Sequence, residues 1–130
     1  MTQKEFETLK LKQAQFRKER RIDIAKEFPG IKRIVIKYTV SYTPFTGRLY
    51  KERKKITLTS DNHSVDLFIP CLNSDCTSIG FDMKPIIQKA VLGKEIETGD
   101  ILLCEGDEAY DHQGYTCEGT LDYTIKIEYK

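Results

Sequence analysis

Four cysteines are the residues of this chain whose type and spacing most directly suggest chemistry. They follow the pattern Cys71-x4-Cys76, then 27 intervening residues, then Cys104-x12-Cys117. Four thiolates form the closed tetrahedral shell that a structural zinc ion prefers. The pattern therefore predicts one zinc ion, held by Cys71, Cys76, Cys104 and Cys117.

The positions of the cysteines relative to predicted strands support this site. Cys71 and Cys76 bracket a polar loop after a predicted strand, whereas Cys104 ends one strand and Cys117 precedes another. If these last two strands pair as a hairpin, their cysteines face each other at its loop end. Two cysteine pairs at two loop mouths form a ribbon-like arrangement. True ribbons usually have two residues between paired cysteines, and a glycine just after the second.

Two other states of the cysteines stay open, namely buried thiols without a ligand and disulfides within either pair. The N-terminus lacks the apolar stretch of a secretory signal, so we expect a cytoplasmic protein with reduced thiols. No apolar run approaches the roughly 20 residues that a membrane-spanning helix needs, and we expect no membrane association. Four cysteines leave no open coordination position, which favours a structural zinc site over a catalytic one.

The remaining candidates for catalysis are weaker. His63 and His112 are the only histidines, and we interpret both as solvated loop residues rather than partners of a reactive thiol. The acidic loop at 105–112 lacks the ligand spacing of a calcium loop and is interpreted as solvated surface. Neither a nucleophile turn nor a phosphate-binding glycine loop occurs. A cysteine- or metal-dependent enzyme is therefore the third choice among the functions considered.

Charge is strongly segregated along the chain, although the formal net charge is only +1. Residues 1–55 contain 16 basic and 6 acidic side chains, a net charge of +10, whereas residues 56–130 have a net charge of −9. A basic half can contact a polyanion, or it can be neutralised by the acidic half of the same or another copy.

Aromatic residues accompany the basic ones near a predicted hairpin tip, where rings stack on unpaired bases in many nucleic-acid-binding proteins. A solvated helix face and a lysine-protected edge strand would explain the same residues without a ligand. The candidate nucleic-acid contacts are Arg17, Arg20, Arg21, Tyr42, Phe45, Arg48, Tyr50, Lys51 and Arg53.

A helix is predicted over residues 3–27, before the stop at Pro29-Gly30. Its apolar stripe is thin, so we expect the helix to protrude or to pack on another copy. Residues 1–30 are accordingly interpreted as a basic N-terminal helix, and residues 31–130 as a single α+β domain. The stripe contains Phe6, Leu9, Phe16, Ile24 and Phe28.

Period-two alternation predicts the strands of that domain. It is clearest at 31–42 and 121–129, with further strands at 49–59, 65–69 and 101–104. A further helix is predicted at 83–92, with Asp82 as its cap. The fold class is therefore α+β, with a mainly antiparallel five-stranded sheet.

Together these features predict a non-enzymatic, zinc-stabilised binding module whose basic N-terminal half contacts nucleic acid or an acidic protein. The alternative is a protein–protein interaction or assembly subunit. Homo-oligomerisation stays open under both interpretations.

Overall fold

The first and last long strands of the chain form the centre of its sheet. A computed structural model describes residues 1–44, 47–109 and 115–130, and places β1 (Ile31–Tyr42) antiparallel to β6 (Thr120–Tyr129). Both strands alternate buried and exposed residues, as period-two hydrophobicity requires of a sheet with one covered face. The alternation seen in the sequence thus predicted both central strands.

Two outer strands complete a four-stranded sheet in the order β2-β1-β6-β5, in which β2 is Tyr50–Thr59 and β5 is Glu97–Leu103. The prediction of five strands in one sheet is wrong. The segment at 65–69 provides only β3 (Phe68–Ile69), which pairs with β4 (Phe81–Asp82) in a separate two-stranded sheet.

Local hydrogen bonds explain why the 65–69 segment does not join the main sheet. The backbone N–H and C=O of Val65 are both bonded to Ile22, at 2.9 and 3.0 Å. The N–H of Phe68 donates to the carboxylate of Asp66 at 2.9 Å, and Pro70 has no N–H to donate. Few backbone groups therefore remain for a longer ladder.

The predicted N-terminal helix divides into α1 (Gln3–Glu19) and α2 (Ile24–Glu27). The break occurs where Ile22 forms its bridge with Val65, and the Asp23 side chain then caps α2 by accepting the N–H of Ala25 at 3.0 Å. No residue of α1 is buried, whereas Ile24 in α2 is fully buried. In the described ranges, no helix combines the length and apolar character that a membrane crossing requires.

The third helix, α3 (Lys84–Leu92), is amphipathic and buries Ile87 and Ala90. Asp82 was predicted to cap this helix, and its side chain accepts the N–H of the first helical residue, Lys84, at 3.0 Å. The N-cap position itself is Met83, one residue after Asp82. The apolar side chains of β1 and β6 belong to the same core cluster as α2 and α3, so one face of the sheet is covered. The largest fully buried side chains include Ile24, Ile31, Ile34, Ile36, Met83, Ile87, Leu121 and Ile125.

Candidate metal centre

All four cysteines converge at the end of the sheet where β5 ends and β6 begins. Cys71 and Cys76 lie in the loop after β3, Cys104 directly follows β5, and Cys117 lies three residues before β6. Their Sγ atoms all lie within 4.8 Å of one another. The structure thus brings together the complete set of cysteines that the sequence predicted as metal ligands.

The sulfur separations fit a tetrahedral metal site. Cys71 and Cys117 have Sγ atoms 3.7 Å apart, and those of Cys76 and Cys104 are 3.4 Å apart. A tetrahedron of sulfurs at 2.3 Å from zinc has edges of about 3.8 Å, whereas a disulfide requires about 2.05 Å. None of the cysteines is joined in a disulfide. The close pairs also cross between the two sequence pairs, so any bound ion would link both loops.

Each sulfur accepts a hydrogen bond from the backbone N–H two residues further along the chain. Ser78 donates to Cys76 at 3.3 Å, and Gly106 donates to Cys104 at 3.4 Å. The N–H groups of Asn73 and Gly119 stand in the same relation to Cys71 and Cys117. Donors directed at sulfur stabilise a thiolate, which is the form that binds a metal.

A repeated tripeptide, Cys-Glu-Gly, forms half of this site. It occurs at 104–106 and 117–119, and its copies pair reciprocally: Cys104 N–H donates to Gly119 at 2.8 Å and Cys117 N–H donates to Gly106 at 2.9 Å. A Cβ on Gly106 would lie 2.5 Å from the sulfur of Cys76, and one on Gly119 would lie 2.6 Å from that of Cys71. Neither glycine was predicted to belong to the site, although the repeated tripeptide is visible in the sequence.

The four thiols lie close enough together that the ionisation of one affects the others. Hydrogen bonding with Cys117, then with Cys71 and Cys76, lowers the pKa of Cys104. Hydrogen bonding with Cys104 raises the pKa of Cys71. One thiolate is thus favoured by its neighbours, whereas ionising all four needs a compensating cation, which a divalent metal would provide.

One side chain of α1 brings positive charge towards the cluster. Burial lowers the pKa of Lys10, but attraction to the sulfurs of Cys76, Cys71 and Cys104 opposes that effect. The ammonium of Lys10 donates to the Ser78 carbonyl at 3.0 Å, and Gln13 donates to the Thr77 carbonyl at 2.7 Å. These carbonyls directly follow Cys76, so α1 is attached to the ligand-bearing loop itself.

A buried carboxylate lies beside the cysteines. Glu108 is only 8% exposed, and its two oxygens accept the Tyr42 hydroxyl at 2.6 Å and the Asn73 amide at 3.1 Å. The same amide lies 3.7 Å from the sulfur of Cys117. Burial, followed by the hydrogen bond to Glu108, raises the pKa of Tyr42. The interpretation of 105–112 as entirely solvated is therefore wrong at Glu108.

Only one of the two histidines lies in the described part of the chain, and it is bonded to an aspartate. His63 is exposed and lies 3.4 Å from the carboxylate of Asp23. His112 falls outside the described residues.

The predicted nucleic-acid contacts at the end of α1 and just after it, Arg17, Arg20 and Arg21, all have neighbours in this chain. Arg17 lies 4.0 Å from Asp66, Arg21 donates to the Ser64 carbonyl at 3.2 Å, and the guanidinium of Arg20 lies 4.1 Å from the ring centre of Phe16. These three arginines are therefore directed towards the 64–66 segment or their own helix.

The other predicted contacts lie on the β1–β2 hairpin. Tyr50, Lys51 and Arg53 are exposed on β2, and the guanidinium of Arg48 lies 5.5 Å from the ring centre of Tyr50. Tyr42 is half-buried, and its hydroxyl donates to Glu108. Phe45 lies outside the described residues. Tyr50, Lys51 and Arg53 thus share one strand, on which Tyr50 alternates with the two basic side chains and so faces the other side of the sheet.

Comparison with known protein families, curated proteins and solved structures finds no match to this chain.

Proposed function

We propose that this protein is a non-enzymatic binding module stabilised by one zinc ion, held by Cys71, Cys76, Cys104 and Cys117. The observation that carries the proposal is the sulfur cluster itself, with all four Sγ atoms within 4.8 Å. Four sulfur ligands suit zinc and leave no coordination position for a substrate. Zinc bound there would supply a redox-inert cross-link, which is a structural role.

The location of the cluster explains what such a cross-link would stabilise. The loop at 71–76, the end of β5 and the start of β6 meet there, and these segments are distant in sequence. An unfolded chain has no preformed site, so metal binding free energy becomes folding free energy. The ion would therefore fix the separate β3–β4 sheet and its loop to the end of the main sheet.

The binding role rests on the basic N-terminal half of the chain. Lys51 and Arg53 are exposed, and no partner within the described residues neutralises either one. Lysine and arginine side chains that neutralise phosphates supply most of the affinity in sequence-independent nucleic-acid binding. Nucleic acid is accordingly the proposed partner.

Metal analysis of the purified protein tests the zinc proposal. We expect close to one zinc per chain by elemental analysis, and Cys104→Ser should lower both zinc content and melting temperature. Ser74→Ala is the matched control, because Ser74 is an exposed residue of the 71–76 loop. Metal-free protein whose melting curve is unchanged by a chelator would refute the proposal, and stoichiometric iron would replace zinc as the metal.

An assembly subunit is the second candidate, and exposed apolar residues favour it. Ile101 and Leu103 are 59% and 72% exposed on the edge strand β5. If this edge is an interface between copies, light scattering will give a mass above the 15.1 kDa of one chain. The double variant Ile101→Thr, Leu103→Thr should then return the mass to that of a monomer.

A further inference from the structure

The sheet face opposite α3, which we call the outer face, concentrates unpaired positive charge on β1 and β2. The register places Lys55 opposite Lys37, Arg53 opposite Thr39, and Lys51 beside them along β2. Lys37, Lys51, Arg53 and Lys55 form what we call the basic cluster. All four are exposed, and none has an ion-pair or hydrogen-bond partner within the described part of the chain.

The basic cluster is unfavourable for the free protein. Like charges directly opposite each other on neighbouring strands are destabilising, and Lys37 and Lys55 are such a pair. Lysines on an edge strand commonly prevent aggregation, which would explain those on β2. That explanation fails for Lys37, because β1 lies between β2 and β6 and has no free edge. An anionic ligand bound between Lys37 and Lys55 would offset the repulsion between them, which would explain why both lysines are present.

The outer face also provides space for an extended ligand. An open groove of about 490 Å³ is lined by residues that include Lys37, Arg53, Lys55 and Thr124. Gly99 lies opposite Thr124 on β5, and a Cβ there would come within 2.8 Å of the Tyr123 carbonyl oxygen. The paired positions Lys55, Lys37, Thr124 and Gly99 cross the four strands in one row. Their side chains become shorter from Lys55 to Gly99, so the outer face offers more space away from the lysines.

The outer face offers phosphate contacts rather than base stacking. Tyr38 and Tyr123 on the two central strands are buried with the core, and no aromatic side chain belongs to the outward-facing register positions of the four described strands. Binding of single strands depends on aromatic rings that stack on unpaired bases. A duplex keeps its bases stacked and presents its phosphates to basic side chains.

We infer that the basic cluster binds the phosphate backbone of duplex nucleic acid, without sequence preference. Outward positions along β2 repeat at about 6.8 Å, so Lys51, Arg53 and Lys55 extend along one line that a backbone can follow. Asp122 also lines the groove and opposes such binding. This inference rests on the proposed function, because it names the surface and the form of nucleic acid that the binding module recognises.

Fluorescence anisotropy of the full, zinc-loaded chain with a labelled duplex of about 20 base pairs tests the inference. The triple variant Lys37→Gln, Arg53→Gln, Lys55→Gln should bind at least about tenfold more weakly and lower the salt slope by about 2.7, which is 0.9 for each lost phosphate contact. Asp122→Asn should bind more tightly than the unmodified chain. A gain of affinity cannot come from misfolding.

A matched triple variant, Lys89→Gln, Lys94→Gln, Lys130→Gln, removes the same charge from exposed positions outside the basic N-terminal half. It should retain binding within about threefold if the remaining affinity depends on local phosphate contacts. Zinc content and melting temperature are measured for every variant. No cysteine belongs to the basic cluster, so these measurements test the zinc proposal separately from the binding surface.

Several results would overturn the inference. These are equal losses in both triple variants, tighter binding of a single strand than of the duplex, or no duplex binding by the unmodified chain at low salt. Displacement of the duplex by polyglutamate at matched charge would instead assign the surface to an acidic protein. Normal zinc content with any of these results would leave the zinc proposal standing.

Discussion

The two glycines of the repeated Cys-Glu-Gly tripeptide lie against sulfur atoms of the 71–76 loop, where a larger residue has no room. We predict that Gly106→Ala and Gly119→Ala each lower the free energy of unfolding by about 1–3 kcal/mol, the usual range for overpacking a close-packed site. The physical reason is that the added Cβ would lie 2.5 Å from the Cys76 sulfur or 2.6 Å from the Cys71 sulfur. Chemical denaturation and competition with a zinc-binding dye would measure both effects.

Gly30→Ala is the control for this pair, because a Cβ at Gly30 would have no neighbour within 4 Å. Its unfolding curve and zinc affinity should stay close to those of the unmodified protein. If Gly106→Ala and Gly119→Ala leave stability and zinc affinity as unchanged as Gly30→Ala does, the contacts between these glycines and the sulfurs are less tight than the structure indicates.

The buried carboxylate of Glu108 depends on the hydroxyl of Tyr42. We predict that Tyr42→Phe destabilises the fold by about 1–3 kcal/mol, because it leaves a buried oxygen without its donor. Tyr123→Phe is the matched control, since the Tyr123 hydroxyl makes no hydrogen bond within the described residues. Equal melting temperatures for the two variants would contradict a structural role for the Tyr42 bond.

At the scale of single residues, the cysteine site could be predicted from the sequence, whereas the hydrogen bond between Tyr42 and Glu108 could not. The cysteines could be grouped because Cys71 and Cys76 bracket the loop after one predicted strand, whereas Cys104 ends a second and Cys117 precedes a third. The roles of Tyr42 and Glu108 could not be foreseen, because the two residues are 66 positions apart and meet only in the folded chain. In a sequence, a tyrosine beside basic residues is equally consistent with a ring that stacks on a base and with a buried hydroxyl that donates a hydrogen bond.

Among the elements, α1 is bonded directly to the loop that carries Cys71 and Cys76. It buries none of its residues, and its side chains bond to the carbonyls of Thr77 and Ser78 just after Cys76. We predict that chelating the metal speeds amide exchange in α1 more than in β1 or β6, because short isolated helices are marginal in water. Hydrogen–deuterium exchange with mass spectrometry, with and without chelator, would measure the difference.

Gln13→Ala provides a second test of this coupling. It should speed exchange in α1 while zinc content stays unchanged, because Gln13 is not a ligand. Gln15→Ala is its control, since Gln15 bonds only to Glu19 on the same helix. Exchange in α1 that ignores both chelation and Gln13→Ala would show that the helix is held by other contacts, such as the edge-on packing of Phe16 against Phe68.

Long periodic elements were predictable, and short ones were not. The strands β1 and β6 and the helix α3 follow regular patterns, so their bounds lie close to the predicted ones. The sheet formed by β3 and β4 has only two residues in each strand, too few to establish a period. The break before α2 comes from the Ile22–Val65 bridge, a long-range contact that helical periodicity cannot reveal.

At the scale of the whole molecule, the basic cluster places like charges opposite each other in the sheet, which lowers its stability. We predict that Lys55→Glu raises the free energy of unfolding by about 0.2–1 kcal/mol, because it replaces a repulsive cross-strand pair with an attractive one. The same variant should weaken duplex binding. Lys54→Glu is the control: Lys54 lies 3.1 Å from Glu52, so its reversal should give no gain in stability. A Lys55→Glu protein that is less stable than the unmodified chain would contradict the repulsion.

The central pairing of β1 with β6 has a consequence for the synthesis of this protein. A ribosome releases β1 early, but its partner begins only at Thr120, so about 4–16 seconds pass between them at about 5–20 residues per second. During that interval the apolar side chains of β1 have only β2 as a sheet neighbour. We therefore expect the nascent chain to be prone to aggregation until β6 emerges, and loss of β6 would remove the middle of the sheet.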